Sequence, residues 1–247
     1  MKLSYAVYTN PGGRDGNEDS YGVATNDGCE TGAEAWLFVV ADGLGGHGGG
    51  ETASALAVEQ ALAAFEADPD NLAACFERGQ EAILSRQATD TAVKDMKTTM
   101  VALSIKDDQA AWGHIGDSRL YWFTGGHLRT RTLDHSVPQI LVATGEIREE
   151  DIRHHEDRNR LIKAMGIEWP TPAYELAEVV QLAGNDSFLL ATDGFWEYVE
   201  EKDMERALRH AVSPSIWLRR MLVVGKKNAC GHDRDNYTAI AVFAREH

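Results

Sequence analysis

Short apolar or alternating segments recur along the chain and predict β-strands. Residues 3–9 alternate between apolar and polar side chains, and residues 36–41 form a continuous apolar run, as in a strand buried on both faces. Similar patterns occur at residues 100–105, 110–115, 119–123, 174–180, 188–191 and 238–244. The connections at 106–109 and 124–126 are tight, and tight connections join antiparallel neighbours. The pattern therefore predicts antiparallel hairpins.

Apolar positions with helical spacing lie in three other segments. Those that share a face are Ala55, Val58, Leu62 and Phe65 in the first segment, and Leu72, Cys75, Phe76, Gly79 and Ile83 in the second. Ser213-Pro214 predicts the start of a third helix, in which Trp217, Leu218 and Met221 face inwards and which ends at Gly225. Paired helices beside runs of hairpin-linked strands predict an α+β fold, with helices packed on an antiparallel sheet or sandwich.

Nothing in the sequence divides the chain into parts. It contains no internal repeat, low-complexity tract or Pro/Ser-rich linker, and its 247 residues suffice for a sizeable core. We therefore expect a single domain over residues 1–247. Residues 134–166 are helix-prone, and residues 145–160 among them are highly charged, which predicts a mobile excursion on the surface.

Charge and composition argue against several classes of protein. The chain has 24 Lys and Arg against 39 Asp and Glu, a net charge of −15, which argues against nucleic-acid binding. Its longest apolar run, residues 36–41, is far shorter than the roughly 20 residues of a membrane helix. The first residues resemble no signal peptide, and three widely spaced cysteines indicate no disulfide framework, so we expect a cytoplasmic protein.

A glycine-rich loop, residues 42–50, follows the apolar run and precedes the first predicted helix. Gly43, Gly45 and Gly48 match the spacing of a dinucleotide-binding turn. Such a turn also needs a second parallel strand about 20 residues later, where this sequence predicts a helix. A phosphate-binding Walker loop needs a nearby lysine, which this loop lacks. A nucleotide-dependent oxidoreductase is therefore a minor alternative.

Aspartates recur at the ends of apolar strands. They are Asp42 and Asp193 after apolar runs, Asp117 after a further predicted strand, and Asp235 before the last one. If these carboxylates meet in one cleft, they repel one another and favour a hard divalent cation such as Mg²⁺ or Mn²⁺. Two hypotheses follow from the pattern: a dinuclear metal site with oxygen ligands, or four unrelated carboxylates that cap turns.

Eight short motifs follow one another along nearly the whole chain. They are Gly13-Arg14 with Asn17-Glu18-Asp19, Val40-Ala41-Asp42-Gly43-Leu44-Gly45-Gly46-His47 with Glu51-Thr52-Ala53-Ser54, Lys97-Thr98-Thr99, Ile115-Gly116-Asp117-Ser118-Arg119-Leu120-Tyr121, Asp134-His135-Ser136, Asn159-Arg160-Leu161 with Met165-Gly166, Leu190-Ala191-Thr192-Asp193-Gly194, and Asp235-Asn236-Tyr237-Thr238. Each motif is weak alone, but eight in this order are specific. The sequence resembles the metal-dependent protein phosphatases of type 2C, in their bacterial form.

The resemblance implies a four-layer fold, a central antiparallel β-sandwich with helices on both sides, and two Mn²⁺ or Mg²⁺ ions in a cleft at one edge. The resemblance implies that Asp42 bridges both ions, that Gly43 offers its carbonyl to one of them, and that Asp193 and Asp235 bind the other. It implies direct or water-mediated metal contacts for Glu18 and Asp19, and a weaker third site at Asp117 with Asp193. It also implies that Arg14 binds the substrate phosphate. Arg14, Asp42 and Asp193 are the implied catalytic residues.

The implied activity is hydrolysis of phosphoserine and phosphothreonine by a water that both metal ions activate, in opposition to a bacterial Ser/Thr kinase. We expect a monomer that acts on phosphorylated proteins and has no nucleic-acid or membrane partner. A catalytically silent relative that binds phosphoproteins is the alternative, although the intact aspartates argue against it. The segment 136–166 corresponds to the flap of the family and is expected to govern substrate choice.

The sequence departs from part of the family at Leu44. Eukaryotic relatives carry a histidine there, which is thought to protonate the leaving group. Bacterial relatives usually have an apolar residue at this position and a histidine three residues later, as His47 stands here. Arg119 and His135 are expected to hold loops rather than to touch substrate, and Trp196 to pack in the core.

Overall fold

Twelve strands and six α-helices make up the described parts of the chain. The computed structural model describes residues 1–26, 34–45, 49–231 and 233–246. The strands are β1 (Lys2–Asn10), β2 (Asp19–Asn26), β3 (Ala35–Leu44), β4 (Lys97–Thr98), β5 (Met100–Lys106), β6 (Gln109–Ile115), β7 (Arg119–Thr124), β8 (His127–Arg131), β9 (Glu175–Leu176), β10 (Val180–Gln181), β11 (Asn185–Ala191) and β12 (Tyr237–Arg245). The α-helices are α1 (Gly49–Ala67), α2 (Leu72–Thr89), α3 (Val137–Ala143), α4 (Asp193–Trp196), α5 (Glu201–Leu208) and α6 (Pro214–Asn228), and short 3₁₀-helices cover Thr91–Val93 and Glu149–His154.

The strands form two antiparallel sheets. One sheet has the order β1-β12-β11-β7-β8, and the other has the order β10-β6-β5-β3-β2, with β4 beside β3 and β9 beside β6. Every pairing between the described strands is antiparallel. The parallel unit that a dinucleotide-binding turn requires does not occur among these strands, so the oxidoreductase alternative loses its structural basis.

The fold has four layers, two sheets with a helical layer on each side, and a hydrophobic cluster lies between each neighbouring pair of layers. The central cluster, which includes Phe38, Leu103 and Phe188, lies between the two sheets. A second cluster packs α1 and α2 on the sheet that contains β3 and β5, and a third packs α5 and α6 on the sheet that contains β11 and β12. The predicted α+β fold, a β-sandwich with helices on both sides, is confirmed.

Strand β3 is apolar throughout because both of its faces are covered. Leu37 and Val39 belong to the cluster under α1 and α2, whereas Phe38 and Val40 belong to the cluster between the sheets. Side chains alternate between the faces of a strand, so Asp42, two residues after Val40, leaves β3 on the side of the other sheet. The strand register thus directs this aspartate to the mouth of the gap between the sheets.

The strand predictions missed three strands, β2, β8 and the two-residue β4, and joined two others. β2 and β8 are outer strands of their sheets, and many of their side chains are partly or fully exposed, so their sequences lack a clear apolar alternation. The predicted strand at residues 174–180 is instead β9 and β10, which pair with opposite ends of β6. In the ranges that the structure describes, no helix is long and apolar enough to cross a membrane.

Helix α1 buries the predicted face except at Ala55, and buries small residues beside it. Val58 and Phe65 are buried, and Leu62 packs against the same cluster, whereas Ala55 is exposed. The helix also buries a stripe of alanines, Ala53, Ala57 and Ala61. These small side chains allow a close approach of α2, where a Cβ atom at Gly79 would lie 3.4 Å from the Cα atom of Ala57.

Helix α6 begins as predicted but does not end at Gly225. The Ser213 hydroxyl accepts a hydrogen bond from the Ile216 amide, and Trp217 is among the buried residues. The helix then continues to Asn228. Gly225 is a packing residue, because a Cβ atom there would lie 3.4 Å from a guanidinium nitrogen of Arg234.

The charged segment 136–166 folds back onto the body of the protein. The Val137 amide donates to the Arg160 carbonyl, and Thr98 and Met165 exchange backbone hydrogen bonds. Ile152 is buried in the same cluster as the inner faces of α5 and α6. The segment therefore contacts both the edge of the cleft and one helical layer.

Candidate metal centre

The predicted aspartates meet at one end of the sandwich. Asp42, near the end of β3, pairs in register with Asp19 at the start of β2. Asp193 opens α4 just after β11, and Asp235 lies just before β12. Because β11 and β12 are antiparallel neighbours, the end of one lies beside the start of the other. Asp117 lies in the turn from β6 to β7, which joins the two sheets.

These residues surround a cleft of about 420 Å³. It is lined by Arg14, Gly16, Glu18, Asp42, Gly43, Leu44, Gly45, Asp117, Asn159, Leu161, Asp193, Asp235 and Asn236. Every predicted site residue except Asp19 is among them. Asp19 lies beneath the surface and is 7% exposed.

Burial and mutual repulsion raise the pKa of the clustered carboxyl groups. The pKa of Asp42 lies well above its ordinary value, first because of burial and then because of the charges of Asp19 and Asp193. Burial also raises the pKa of Asp117 and Asp193, with the next contributions from Asp193 and Asp235, respectively. The pKa of Asp19 is raised to about 7, mainly by burial. The fold therefore holds these four carboxyl groups close together without enough positively charged side chains to neutralise them.

One carboxylate oxygen lacks any partner among the described atoms. Asp19 Oδ2 accepts a hydrogen bond of 2.9 Å from the Thr192 hydroxyl, whereas the buried Oδ1 has no hydrogen bond. A buried acceptor without a partner costs about 1–3 kcal/mol. The described lining residues offer carboxylate and carbonyl oxygens and neither thiol nor imidazole, which is the donor set of Mg²⁺ and Mn²⁺. The residues therefore fit a divalent-metal centre.

Arg14 lies at the rim and pairs with a site carboxylate. Its Nε atom is 3.0 Å from Asp235 Oδ1, and a terminal nitrogen is 2.9 Å from Oδ2. The two side chains are 54% and 42% exposed, so the pair faces the solvent. The hydrogen bond to Asp235 and its charge raise the pKa of Arg14. The structure places Arg14 beside the predicted metal ligands, as the resemblance implies.

Gly43 is required by a close crossing of two backbones. Its amide donates to the Glu18 carbonyl at 3.1 Å. A Cβ atom at this position would lie 2.1 Å from the Gly50 carbonyl oxygen, so no other residue fits. Burial, followed by the charge of Asp235, raises the pKa of Glu18. The crossing brings Glu18 and Gly43 to the same wall of the cleft.

Two threonines fix the backbone of Asp42. The Thr98 hydroxyl donates to the Asp42 carbonyl at 2.8 Å, and the Asp42 amide donates to the Thr99 hydroxyl at 3.1 Å. The Thr99 hydroxyl also lies 2.7 Å from that of Ser118, the neighbour of Asp117. The sequence shows the Thr98-Thr99 motif but not this role, which links two metal-ligand candidates.

Asn236 fixes the loop that carries Arg14 and Glu18. Its Oδ1 atom accepts from the Glu18 amide at 2.7 Å. Its Nδ2 atom donates to the carbonyls of Pro11 and Gly16 at 2.8 and 2.9 Å. Its place directly after Asp235 in a recognised motif is the one sequence signal that could have indicated this role.

Arg119 and Trp196 support Asp117. The buried guanidinium of Arg119 forms two hydrogen bonds with Asp134, of 2.7 and 2.6 Å, and lies 3.4 Å from the centre of the Trp196 ring. The Trp196 indole donates to the Asp117 carbonyl at 3.0 Å. Trp196 is therefore a core residue, as predicted, that also holds the backbone of a site aspartate. Arg119 holds loops, as predicted.

His135 also holds a loop, within a second cluster of possible ligands. One atom each of His114, His135 and Glu175 lie within 4.8 Å of one another. His135 Nδ1 accepts from the Gly116 amide, so Nε2 carries the proton and donates to Glu175 at 2.8 Å. His114 Nε2 donates to the Leu133 carbonyl. These bonds occupy both nitrogens of His135, which makes the cluster a hydrogen-bonded support and not a metal site.

His47 and the glycines at positions 46 and 48 lie outside the described residues. Leu44, by contrast, lines the cleft. The position at which eukaryotic relatives carry a histidine is thus at the site, while the bacterial histidine has no described position.

Comparisons with known proteins identify the family of the chain. The sequence model of the family protein phosphatase 2C matches residues 16–222. The serine/threonine phosphatase stp of Listeria monocytogenes serotype 4b (strain F2365) is 31% identical over 235 residues, which cover 92% of this chain and 89% of that protein.

Solved structures show the same fold. The crystal structure of the Mycobacterium tuberculosis serine/threonine phosphatase PstP/Ppp superimposes with a TM-score of 0.84 at 28% identity, over 99% of both chains. The catalytic domain of PstP in complex with two manganese ions superimposes with a TM-score of 0.82 at 27% identity, also over 99% of both chains. The chain therefore belongs to the protein phosphatase 2C family, in its bacterial serine/threonine phosphatase form.

Proposed function

We propose that the protein hydrolyses phosphoserine and phosphothreonine in other proteins with two divalent metal ions, in opposition to a Ser/Thr kinase of the same cell. The observation that carries this proposal is the convergence of Asp42, Asp193 and Asp235 on one cleft with Arg14 at its rim. The likeness to a manganese-bound phosphatase domain supports the same metal chemistry. The names of the relatives support proteins phosphorylated on serine or threonine as substrates.

The residues would divide between two metal positions and a weaker third. Asp42 would hold both of the first two ions, Gly43 would offer its carbonyl to one of them, and Asp193 and Asp235 would hold the other. Glu18 and Asp19 would contact the ions directly or through water, and Asp117 with Asp193 would hold a third ion. When bound, two such ions supply an acidified water for attack on phosphorus and neutralise the negative charge of the phosphate oxygens.

Arg14 would bind the substrate phosphate. Its planar guanidinium presents parallel N–H donors that match two phosphate oxygens, as it now matches the two oxygens of Asp235. Arg14 would be available to an incoming phosphate once Asp235 held a cation, because the negative charge that now holds its guanidinium would then be reduced. The chain therefore offers a cationic group at the cleft although its net charge is −15.

The described lining of the cleft favours direct hydrolysis over a covalent intermediate. It contains neither Ser, Cys nor His, the residues that most often act as nucleophiles. Carboxylates can also attack phosphorus, but in the function proposed here those of the cleft would hold cations and orient water.

The test is the hydrolysis of a phosphothreonine peptide by purified protein, with Mn²⁺ and with EDTA, for wild type and Asp193→Asn. We expect turnover that requires Mn²⁺ and falls at least a hundredfold in the variant, because the substitution removes a ligand charge. Asp108→Asn is the matched control, since Asp108 is exposed in the β5–β6 turn and its loss should leave turnover unchanged.

Two results would contradict the proposal. Mn²⁺ binding without turnover would favour a silent relative that binds phosphoproteins. Wild type that binds no Mn²⁺, as measured by calorimetry, would refute the metal centre itself.

A further inference from the structure

Arg234 is a buried arginine without a carboxylate partner in the described ranges. It is 9% exposed. The two other buried arginines there, Arg119 and Arg153, pair with Asp134 and Glu201. A charged side chain is rarely buried unless it is paired. Burial lowers the pKa of Arg234, although an arginine keeps its proton in a folded protein.

Aromatic rings and one carbonyl hold this cation in place. The guanidinium lies 3.5 Å from the centre of the Tyr237 ring and 5.4 Å from that of Tyr198. Its Nε atom donates to the Gly194 carbonyl at 2.8 Å. Gly225 of α6 leaves room for it, since a Cβ atom there would lie 3.4 Å from a terminal nitrogen of the guanidinium. The side chain is thus fixed in one orientation.

The residues that Arg234 contacts are chain neighbours of the site. Gly194 follows Asp193, and Arg234 itself precedes Asp235. The Arg234 carbonyl accepts from the amide of Gly13, the residue before Arg14, at 2.8 Å. Arg234 thereby joins three segments, those that carry Asp193, Asp235 and Arg14. It does not itself line the cleft.

We propose that Arg234 is a positioning residue of the metal centre: its guanidinium fixes the segment of Asp193 against that of Asp235 through the Gly194 carbonyl. This inference rests on the proposed function, in which both aspartates bind one ion. Supporting residues outside the ligand set commonly change metal affinity ten- to a hundredfold. The bond to Gly194 gives Arg234 such a position.

The variants Arg234→Met and Arg234→Lys test this inference in the full chain. Methionine keeps the length of the side chain but removes the donor to Gly194. Lysine keeps the charge, but its ammonium group cannot lie flat on Tyr237 while it donates from the Nε position. We expect Arg234→Met to bind Mn²⁺ ten- to a hundredfold more weakly in calorimetry, and Arg234→Lys to show a smaller loss.

Arg245→Met is the matched control. Arg245 lies at the other end of β12, stacks 4.2 Å from the centre of the Phe243 ring, and donates to the backbone carbonyl of Asp186. It makes the same kinds of contact far from the cleft. We expect this variant to lower the melting temperature and to bind Mn²⁺ with wild-type affinity.

Activity separates positioning from a general loss of stability. Well below the melting temperature, Arg234→Met should need ten- to a hundredfold more Mn²⁺ for half-maximal turnover and should keep the wild-type KM for peptide at saturating Mn²⁺. Wild-type Mn²⁺ affinity in both Arg234 variants would overturn the inference, and Arg234→Lys alone decides if the methionine variant does not fold. Wild type that binds no Mn²⁺ would refute the proposed function and the inference with it.

Discussion

Single side chains in this protein support the site mainly by binding backbone atoms. Thr98 binds the carbonyl of Asp42, Trp196 that of Asp117, and Arg234 that of Gly194. Asn236 binds three backbone groups of the loop that carries Arg14. Because these residues hold the main chain, none of these bonds occupies a carboxyl group of the site. Rigid supports of this kind are what a preorganised metal site requires.

The sequence predicts the residues that line the site better than it predicts their supports. Aspartates at strand ends can be recognised from residue type and spacing. The bond from the Glu18 amide to Asn236, in contrast, joins residues 218 positions apart, and the sequence marks it only by the place of Asn236 after Asp235 in one motif. The pair of Arg14 with Asp235 is equally invisible, because the sequence cannot show which of several acids lies nearest to an arginine.

His114 should make stability depend on pH in weak acid. Its side chain is 5% exposed, and its ring stacks on that of His135 with 4.6 Å between the centres. Burial, followed by the charge of His135, lowers its pKa from 6.5 to about 4. Between these values the unfolded chain takes up a proton that the fold excludes, so stability is lost as the pH falls.

The variant His114→Gln measures this contribution. Glutamine can still donate to the Leu133 carbonyl but does not titrate. In EDTA, wild type should lose about 2 kcal/mol of unfolding free energy between about pH 7 and pH 4.5 that the variant keeps. Urea denaturation at a series of pH values provides the measurement. Curves that stay parallel over this range would show that His114 is protonated in the fold.

Among the secondary-structure elements, helix α1 shows how small residues determine packing. Its alanine stripe allows α2 to approach until Gly79 lies against Ala57. A larger side chain at Ala57 has no free volume to enter, whereas the same side chain at Ala55 points to solvent. Overpacking of a close-packed interior costs typically 1–3 kcal/mol.

The pair Ala57→Leu and Ala55→Leu tests this asymmetry within one helix. Leucine and alanine have similar helix propensities, so intrinsic preference does not separate the two variants. We expect Ala57→Leu to lower the free energy of unfolding by about 1–3 kcal/mol and Ala55→Leu to change it by less than about 0.5 kcal/mol. Urea denaturation compares them. Equal effects would mean that α1 buries Ala55 as deeply as Ala57, as the predicted face requires.

Elements with both faces covered are the most predictable, whereas of the outer strands β1, β2 and β8 the sequence predicts only β1. β3 and β11 contain continuous apolar runs because each contacts two clusters. β2 and β8 lie at sheet edges, where side chains need not alternate, and the sequence does not reveal them. In α1 the prediction is wrong only at Ala55, because alanine gives little hydrophobic contrast between the sides of a helix.

On the scale of the whole molecule, the candidate metal centre lies where the two sheets meet. Asp42 and Asp19 come from one sheet, Asp193 and Asp235 from the ends of strands in the other, and Asp117 from the turn that joins them. Cations bound there would therefore connect the two sheets. Any ligand that binds only the folded state stabilises it in proportion to the logarithm of its concentration.

Mn²⁺ should raise the melting temperature, and more so at higher pH. At about 100 times its dissociation constant it stabilises the fold by about 2.7 kcal/mol, or roughly 5–10 °C for a chain of this size. The raised pKa of Asp19, from 3.8 to about 7, means that the metal-free fold loses stability as the pH rises through this window. Mn²⁺ would take the place of these protons, so the rise in melting temperature that it causes should increase with pH.

Thermal melts in EDTA and in Mn²⁺, at about pH 5 and pH 8, provide this comparison. The rise at pH 8 should exceed the rise at pH 5, and Asp193→Asn should reduce both. A shift of the same size at the two pH values would mean that Mn²⁺ binds elsewhere on the protein.

The register of β3 determines which layer of the molecule each of its side chains enters. Leu37 and Val39 pack under α1 and α2, Phe38 and Val40 pack between the sheets, and Asp42 lines the cleft near the end of the strand. One residue inserted before Asp42 would exchange the two faces and turn the carboxylate away from the gap between the sheets. An insertion in the exposed β5–β6 turn would leave the register of β3 unchanged. Changes of length among relatives should therefore collect in the turns and spare this strand.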